Sequence, residues 1–590
     1  MDKKAMVEMT RIAVIDRDLC TNIKCGYVCE KVCPVNRMGK ECIKTEENGV
    51  YPVISEPLCI GCGICVKKCP VQCISIINLK EEIGSPLFQY GVNKFRVHGL
   101  PLPKDGVTGL IGRNGIGKTT SLKILTKQLI PNFGIASRKK LDEAEVLAKL
   151  TMDQRRYWEA MGSTQKASYK PQNISQISEM FKGTVKTLLS KFQEGRMDEA
   201  IEKFGLEKIM GRRLSQLSGG ELQKVAIAVA YVKDADIYFF DEPTNYLDIA
   251  ERMRIAVVLK DFSESRRIML AEHDLAILDY ASDYVYLFWG DESVYGMVSS
   301  VKNVRSGINE YLSGFLKDEN TKFREYEIKF SRFSESERKR PVRFTYPALG
   351  KKYTGFGLSC EAGDVREGEI VGIVGRNALG KSTFVKMLAG VEKPDEGEGG
   401  KFRVSYKPQY IKAEEGVGVE QLFEKKQLNQ QVLEECKRRL GVNRLMLKRL
   451  EDLSGGELQK VAITLALSTE AEIYLLDEPS AFLDIEQRLN LADLLRTIFS
   501  DSQKSAFIVD HDVVFIDAVS SRLIVFDGEQ SVKGHASAPM AKRDGMNSFL
   551  ELVQVTMRRD KESNRPRINK PGSVLDREQK ASGEYYYQTE

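Results

Sequence analysis

Two octapeptides, Gly112–Thr119 (GRNGIGKT) and Gly375–Ser382 (GRNALGKS), fit the pattern G-x4-G-K-[ST]. In that pattern backbone amides and a helix N-terminus cradle a polyphosphate, the lysine neutralises the β/γ charge, and the hydroxyl ligates Mg2+. The candidate binders are Gly112, Asn114, Gly115, Gly117, Lys118, Thr119 and Thr120 in copy one, and Gly375, Asn377, Gly380, Lys381, Ser382 and Thr383 in copy two. The same downstream order follows each: Gln172, Ser218-Gly219-Gly220, Asp241-Glu242, Asp248 and His273, then Gln409, Ser454-Gly455-Gly456, Asp477-Glu478, Asp484 and His511. A 23-residue step separates Ser218 from Asp241 and Ser454 from Asp477, so the series is a true repeat. The chemistry is phosphoanhydride hydrolysis. Asp241 and Asp477 would hold Mg2+ with Thr119 and Ser382, and Gln172 and Gln409 would sense metal and nucleotide. Glu242 and Glu478 would polarise the attacking water, while His273 and His511 bond the γ-phosphate.

The Ser-Gly-Gly segments, at a helix N-terminus, make an anion site that reaches a phosphate only from another domain. Two composite sites are therefore expected. Site one would combine Lys118, Asp241, Glu242 and His273 with Ser454 and Gly456; site two would combine Lys381, Asp477, Glu478 and His511 with Ser218 and Gly220.

A second chemistry is concentrated at the N-terminal end, where ten of twelve cysteines fall between Cys20 and Cys73. Cys59, Cys62, Cys65 and Cys69, followed by Pro70, read C-x2-C-x2-C-x3-C-P, the bacterial ferredoxin spacing for a cubane [4Fe–4S] cluster. Cys20, Cys25, Cys29 and Cys33, followed by Pro34, are a stretched version. The crossed-ligand rule assigns Cys20, Cys25, Cys29 and Cys69 to one cluster and Cys59, Cys62, Cys65 and Cys33 to another. Cys42 and Cys73 read as small buried thiols. A disulfide or zinc module is the competing reading. Met1-Asp2-Lys3-Lys4 does not open a secretory signal, and two Cys-Pro-terminated quartets favour iron–sulfur.

The elements that must position these residues are legible. Apolar runs Val107–Ile111 and Ile370–Val374 precede the phosphate loops, and Ile237–Phe240 and Ile473–Leu476 lead into the acidic pairs, as strands of an α/β sheet should. At 590 residues the chain predicts several domains, and 42% apolar with 29% charged residues excludes wholesale disorder. No run of 18 apolar residues encodes a membrane span, so nucleotide-driven closure must act on something outside a bilayer. Tyr90 and Tyr346, ahead of the two loops, are candidates for stacking on adenine. Copy one is longer between Lys118 and Gln172 than copy two between Lys381 and Gln409, and its extra segment, Leu141–Met161, has helical apolar spacing suited to a partner contact. Charged stretches at 297–340 and Arg558–Lys570 read as solvated linkers or as RNA-phosphate contacts, although the whole chain is only +5.

The ordered series resembles the nucleotide-binding domain of the ATP-binding-cassette (ABC) family. With the cysteine head, the chain is identified as a member of the RNase L inhibitor family, ABC subfamily E. The stretches that carry this are CIGCGICVKKCP (59–70), GRNGIGKTT (112–120), LSGGELQK (217–224 and 453–460), EHDLAILDY (272–280), SVYGMV (293–298), VRSGINEYL (304–312), DEPSAFLD (477–484) and RPRINKPGSVLDREQK (565–580).

The resemblance implies a multidomain α/β protein. A two-cluster ferredoxin-like α+β domain (1–84) would precede cassette one (85–296), hinge one (297–340), cassette two (341–534) and hinge two with a basic C-terminal segment (535–590), the cassettes head-to-tail. It implies an ATPase with Mg2+ and two structural [4Fe–4S] clusters that splits ribosomes after termination or stalling, with roles in initiation and ribosome biogenesis. Its partners would be small-subunit rRNA and proteins, a release factor or its stalled-ribosome relative, and initiation factors. The location would be the cytoplasm, with a nuclear pool compatible in a eukaryote. Ala378 in the second phosphate loop, Phe482 where tyrosine is usual and Asp510 where glutamate is usual depart from the family pattern. An ATP-gated iron–sulfur redox protein is the alternative from another class. An ABC-F-type translation factor is a third, against which the cysteine head weighs.

Overall fold

The computed structural model describes residues 10–45, 50–79, 84–135, 141–192, 195–330, 340–397, 402–409, 415–424, 426–500 and 502–586. In the head, Thr10–Ile15 pairs antiparallel with Ile74–Leu79, Ile15 opposite Ile74 and Thr10 opposite Leu79. A second pair joins Ile43–Thr45 to Pro52–Ile54. Short helices Val28–Val32 and Ile64–Lys68, each carrying one cysteine of a quartet (Cys29 and Cys65), lie between these strands in sequence, and the buried thiols with Ile15, Ile43, Ile54 and Ile74 form the head's core. Gly61 and Gly63 take left-handed backbone (φ +71° and +68°), which lets the chain fold back beside Cys62.

Each cassette is a nine-stranded sheet with the same strand order. In cassette one Val107–Ile111 lies between Tyr284–Asp291 and Arg267–Ala271, and Ile237–Asp241 and Ala167–Lys170 extend the parallel part to one edge. In cassette two Ile370–Gly375, Ser505–Val509, Ile473–Asp477 and Val404–Lys407 hold the same places. The central strands are apolar runs because helices or further strands cover both faces, as parallel sheets require. Both phosphate loops and both acidic pairs emerge at the C-terminal ends of these strands, where open α/β sheets place ligands.

The extra segment of cassette one forms two helices, Glu143–Lys149 and Met152–Ala160. Their N-termini are closed by capping boxes at Asp142 and Thr151, which break the single helical pattern the sequence suggests. Val146, Tyr157 and Trp158 are buried against the cassette, and the Tyr157 hydroxyl donates to the Leu125 carbonyl at 2.9 Å, so much of this annex is packing surface.

The head is seated on cassette one through Asn93. This buried residue accepts from the Ile54 amide (2.8 Å), donates to the Ala13 and Ile54 carbonyls (both 3.0 Å), and takes the Ile15 amide on its own carbonyl (2.9 Å). Arg96 adds a forked pair to Glu56 at 2.5 and 3.1 Å.

The basic C-terminal strip proves different from a solvent-facing RNA surface. Arg565 is 1% exposed and lies 3.5 Å from Asp279; Arg567 bonds Asp279 at 2.6 and 3.0 Å and Asp560 at 3.1 Å; Arg559 pairs with Asp517 at 3.2 Å. Asp279 and Asp517 follow His273 and His511 by the same six positions, so the strip grips one equivalent carboxylate in each cassette. Three of its six basic side chains, Arg559, Arg565 and Arg567, thus face carboxylates inside the protein, while Arg558 is half-buried and Lys561 and Lys570 are exposed. In the first hinge the Val304–Ser313 helix packs beside the cassette-one sheet, and Arg305 and Asn309 reach Glu562 of the second. The charged residues Arg332, Glu335, Glu337, Arg338 and Lys339 lie outside the described residues.

Candidate active sites and the cysteine head

The phosphate loops are built on backbone that side chains disfavour. Gly115 and Gly117 have φ of +65° and +102°, and Gly380 has +94°. Ala378 occupies the position of Gly115 with φ +60°, so cassette two tolerates a left-handed alanine there at a cost of about 1–2 kcal/mol. Lys118 and Lys381 are buried and donate to the loop carbonyls of Gly112 and Arg113 (2.8 and 2.7 Å) and of Gly375 and Arg376 (2.9 and 2.7 Å). Burial pulls both ammonium groups down, Lys381 to about 8, against the nearby carboxylates.

At the ends of the adjoining strands stand the acidic pairs. Burial pushes Asp241 up to about 6, the charge of Glu242 adds to this, and the Thr119 hydroxyl opposes it. Asp477 shifts up for the same first reason, with the Ser382 hydroxyl opposing. Among the described residues, both Asp477 carboxylate oxygens are buried without a close hydrogen-bond partner. A buried carboxylate facing a hydroxyl at each loop is an oxygen donor set that fits a hard divalent cation.

Glu242 and Glu478 behave differently. Burial works against their ionisation, yet His273 at 3.1 Å and the Lys118 charge hold Glu242 down to about 2. His511 at 3.2 Å and Lys381 lower Glu478 in the same way. Asn245 donates to Glu242 and Gln409 to Glu478, both at 2.6 Å. The departure at Asp510 is compensated. In cassette one Glu272 accepts from the Thr244 hydroxyl at 2.8 Å; in cassette two the shorter Asp510 accepts from Ser480 at 2.8 Å.

Ser218 and Ser454 are the N-caps of 14-residue helices, each in a capping box with the glutamate three residues on. The structure brings site one together. A cavity of about 780 Å³ is walled by Gly115, Lys118, Thr119, Gln172, Glu242 and His273 of cassette one and by Ser454, Gly455 and Gly456 of cassette two. Ile15, Asp16, Arg17 and Asp18 of the head line the same cavity. Site two differs from the expected symmetry. Among the described residues one cavity there, about 390 Å³, is walled by cassette two, including Lys381, Ser382, Gln409, Glu478 and His511; the last three also line a smaller cavity with Asn245, Tyr246 and Arg252 of cassette one, and neither cavity includes Ser218 or Gly220.

Several contacts across the interface were not foreseen. Asp248 and Asp484 each cap their own helix and also accept an amide from the opposite phosphate loop, Asn377 at 2.8 Å and Asn114 at 3.2 Å. Tyr246 and Phe482 meet edge to face at 5.8 Å, so the unusual phenylalanine packs on its own counterpart. Arg113 forms a fork to Glu486 at 2.8 and 2.6 Å, and the Tyr326 hydroxyl of the first hinge bonds the same carboxylate. The residue equivalent to Glu486 in cassette one is Ala250.

Tyr90 is 48% exposed, borders the site-one cavity and shares a hydrogen bond with the Thr120 hydroxyl at 3.2 Å. Tyr346 does not match it. At 2% exposed, with its ring among Phe384 and Phe507, it has no free face for a base, and its placement as an adenine contact is corrected. The strand register identifies the counterpart. Tyr353 pairs with Phe356 as Tyr90 does with Phe95; it is 42% exposed, and Thr383, the equivalent of Thr120, acts on its hydroxyl. Phe356 lines the site-two cavity as Phe95 lines that of site one.

In the head, burial pushes the Cys29 thiol up to about 11, and the nearby Cys25, Cys69 and Cys20 add to the effect. Burial raises Cys65 to about 12, with Cys59 and Cys62 adding. Cys42, also about 12 through burial, stands beside Cys33 and Cys59. Cys73 lies 3.5 Å from Cys69, so both supernumerary thiols abut the quartets. Among the described residues no three His, Cys, Asp or Glu side chains converge tightly enough for one ion. A cubane is held from further out, and buried thiols that resist ionisation together suit a cationic iron core that replaces their protons.

Family comparisons agree with this division. Residues 97–245 and 362–481 match the ABC transporter family, residues 10–41 a possible 4Fe-4S-like domain of RNase L inhibitor, and residues 52–75 the 4Fe-4S binding domain. A paired ABC ATPase with a 4Fe-4S head is the class so defined, and its cassettes bind and hydrolyse ATP. An uncharacterized ABC transporter ATP-binding protein of Methanocaldococcus jannaschii is 46% identical, with 98% of each chain covered. A solved structure of ribosome-bound archaeal Pelota and ABCE1 contains a chain 48% identical to this one, covering 99% of this chain and 100% of that one at a TM-score of 0.93. The archaeal ribosome recycling factor aABCE1, solved with the ribosomal stalk protein aP1, is 45% identical, covering 85% of this chain and 99% of that one at a TM-score of 0.79. The chain belongs to the RNase L inhibitor family, ABC subfamily E.

Proposed function

We propose that this protein is an ATP-driven ribosome recycling factor whose cassettes close on two nucleotides and move the iron–sulfur head. The observation that carries the reading is the site-one cavity, whose walls come from cassette one, the signature segment of cassette two and the head. A nucleotide bound there would touch all three bodies. Its preference for the closed arrangement would shift the population toward closure, and the head would respond because it borders the same space.

Each chain segment has its part in this reading. The loop amides and Lys118 or Lys381 bind the β/γ-phosphates, and Tyr90 and Tyr353 stack on the bases. Ser454 and Gly456 complete site one from the opposite cassette; Ser218 and Gly220 would complete site two on further closure. Glu242 and Glu478, ionised, accept the proton of an attacking water, while His273 and His511 hold the glutamates and reach the γ-phosphate. Mg2+ would be held by Thr119, Asp241 and Gln172, or by Ser382, Asp477 and Gln409, and would supply charge neutralisation at the transferring phosphoryl group. Cys20, Cys25, Cys29 and Cys69, and Cys59, Cys62, Cys65 and Cys33, would hold two [4Fe–4S] clusters that stiffen the head. The sequence divides the chain into units 1–84, 85–296, 297–340, 341–534 and 535–590; the cassette-sheet strands Tyr295–Val298 and Lys533–Ala536 cross two of these bounds, so each cassette runs a few residues further.

The partners are the ribosome and a release factor or its stalled-ribosome relative, in the cytoplasm. Internal pairing of the C-terminal arginines directs the search for rRNA contacts to other surfaces. The test is a subunit-splitting assay with purified ribosomes, the factor, ATP and the cluster-loaded protein. Conversion to free subunits only with ATP is expected; intact particles with an ATPase-active protein would sink the reading.

Tyr353→Ala is expected to raise the KM for ATP about tenfold at its site, since base stacking on an aromatic contributes about 1–3 kcal/mol. Tyr346→Ala should instead lower the melting temperature with KM nearly unchanged. Steady-state kinetics and thermal unfolding of the two variants separate these roles, and a reversal of the two effects would return the stacking role to Tyr346.

A further inference from the structure

Glu242 and Glu478 carry a second unusual feature. Their backbones lie in the left-handed region, with φ of +47° and +49°, a conformation that a glutamate adopts only when its surroundings impose it. The contacts around it are the same in both cassettes. Lys170 is 1% exposed, and its ammonium donates to the carbonyls of Asp241 and Glu242 at 2.8 and 3.1 Å. Lys407 is equally buried and donates to Asp477 and Glu478 at 2.7 and 3.1 Å. From the other side Gln223 and Gln459, on the helices that follow the Ser-Gly-Gly segments, donate to the Glu242 and Glu478 carbonyls at 2.7 and 2.6 Å.

The carbonyl of the turned residue is thus gripped from two elements, while its amide donates to the neighbouring strand at Ala271 or Val509 (both 2.8 Å). One is the strand that ends in Lys170 or Lys407, two residues before Gln172 or Gln409; the other is the signature helix. A buried ammonium spent on carbonyl oxygens, with no carboxylate oxygen among the described residues in hydrogen-bond contact, is costly unless its position matters. A misplacement of about 1 Å at a catalytic base can lower a rate about a hundredfold.

We propose that Lys170 with Gln223, and Lys407 with Gln459, are positioning residues that hold the strained main chain of the catalytic glutamates and so set where each carboxylate meets the attacking water. Because Lys170 and Gln172 share one short segment, as do Lys407 and Gln409, a movement of that segment is transmitted to the glutamate through its carbonyl. The inference rests on the hydrolytic role of Glu242 and Glu478. Their replacement is therefore tested in the same experiment.

The test uses the full-length, cluster-loaded protein. Lys170→Met combined with Lys407→Met keeps the buried length and removes the donors. The expected result is a kcat lowered between about tenfold and a hundredfold, with the KM for ATP changed less than about threefold. Gln223→Met combined with Gln459→Met gives a smaller loss with the same split, and decides the matter if the lysine variant does not fold. In a Glu242→Gln/Glu478→Gln background neither pair should slow the residual single-turnover rate further, since a residue acting through the glutamate has nothing left to position. A kcat unchanged in both pairs, a KM rising in step with the loss of kcat, or a further loss in the glutamine background would overturn the proposal. A glutamine background that hydrolyses at the wild-type rate would instead remove the glutamates' own role.

Discussion

Glu242→Gln together with Glu478→Gln is expected to slow ATP hydrolysis by about 10²–10⁴-fold while leaving nucleotide binding nearly intact. Each substitution exchanges one carboxylate oxygen for an amide of the same shape, so the packing around residues buried as deeply as these changes little. What changes is basicity. Glu242 is held ionised, at about 2, by His273 and Lys118 against the penalty of burial, and an amide cannot accept the water's proton. The phosphate cradle is made by other groups, Lys118, Lys381 and the loop amides, so ATP still draws the cassettes together. The expected species is a closed protein that remains on the small subunit. Phosphate release measures the first effect and co-sedimentation with small subunits the second. Wild-type hydrolysis by the double variant would remove these glutamates from catalysis.

Cys65→Ser is expected to lower the iron content by about four atoms per chain, the content of one cubane. Cys65 is buried in the head, where Cys59 and Cys62 crowd it, and a serine oxygen is a harder and poorer ligand for iron than a thiolate. Cys73→Ser is the matched control, for its sulfur lies 3.5 Å from Cys69 without belonging to either expected quartet. It should retain the full iron content. Iron and sulfide analysis with visible absorption decides between the two, and undiminished iron in Cys65→Ser would refute the ligand assignment.

The parts of the sites that are contiguous in sequence could be read from it. A phosphate loop is eight residues whose spacing is itself the geometry, and a strand ending in Asp241-Glu242 needs no distant information to be placed beside it. Contacts that depend on docking could not be read. Asp248 meets the amide of Asn377, and Arg113 meets Glu486, across separations that no local pattern encodes. The adenine aromatic of copy two shows why proximity in sequence misleads. Tyr346 and Tyr353 both precede the second loop, and only the register of the Leu349–Tyr353 and Phe356–Cys360 strands shows which one corresponds to Tyr90. Charge counting failed at the C-terminal strip for a related reason. The carboxylates that neutralise Arg559, Arg565 and Arg567 include Asp279 and Asp517, which come from two other units of the chain.

The fork between Arg113 and Glu486 has a mechanical meaning. The cassettes are near copies, and the reciprocal reach of Asp248 and Asp484 treats both faces alike. At position 250, however, alanine stands where position 486 offers a carboxylate to an arginine and a hinge tyrosine. Prying the faces apart beside Lys118 breaks that fork, whereas residue 250 presents no equivalent bond to break beside Lys381. The duplicated interface is thus fastened by an ion pair at one corner that has no counterpart at position 250, a break in symmetry built into two otherwise matching faces.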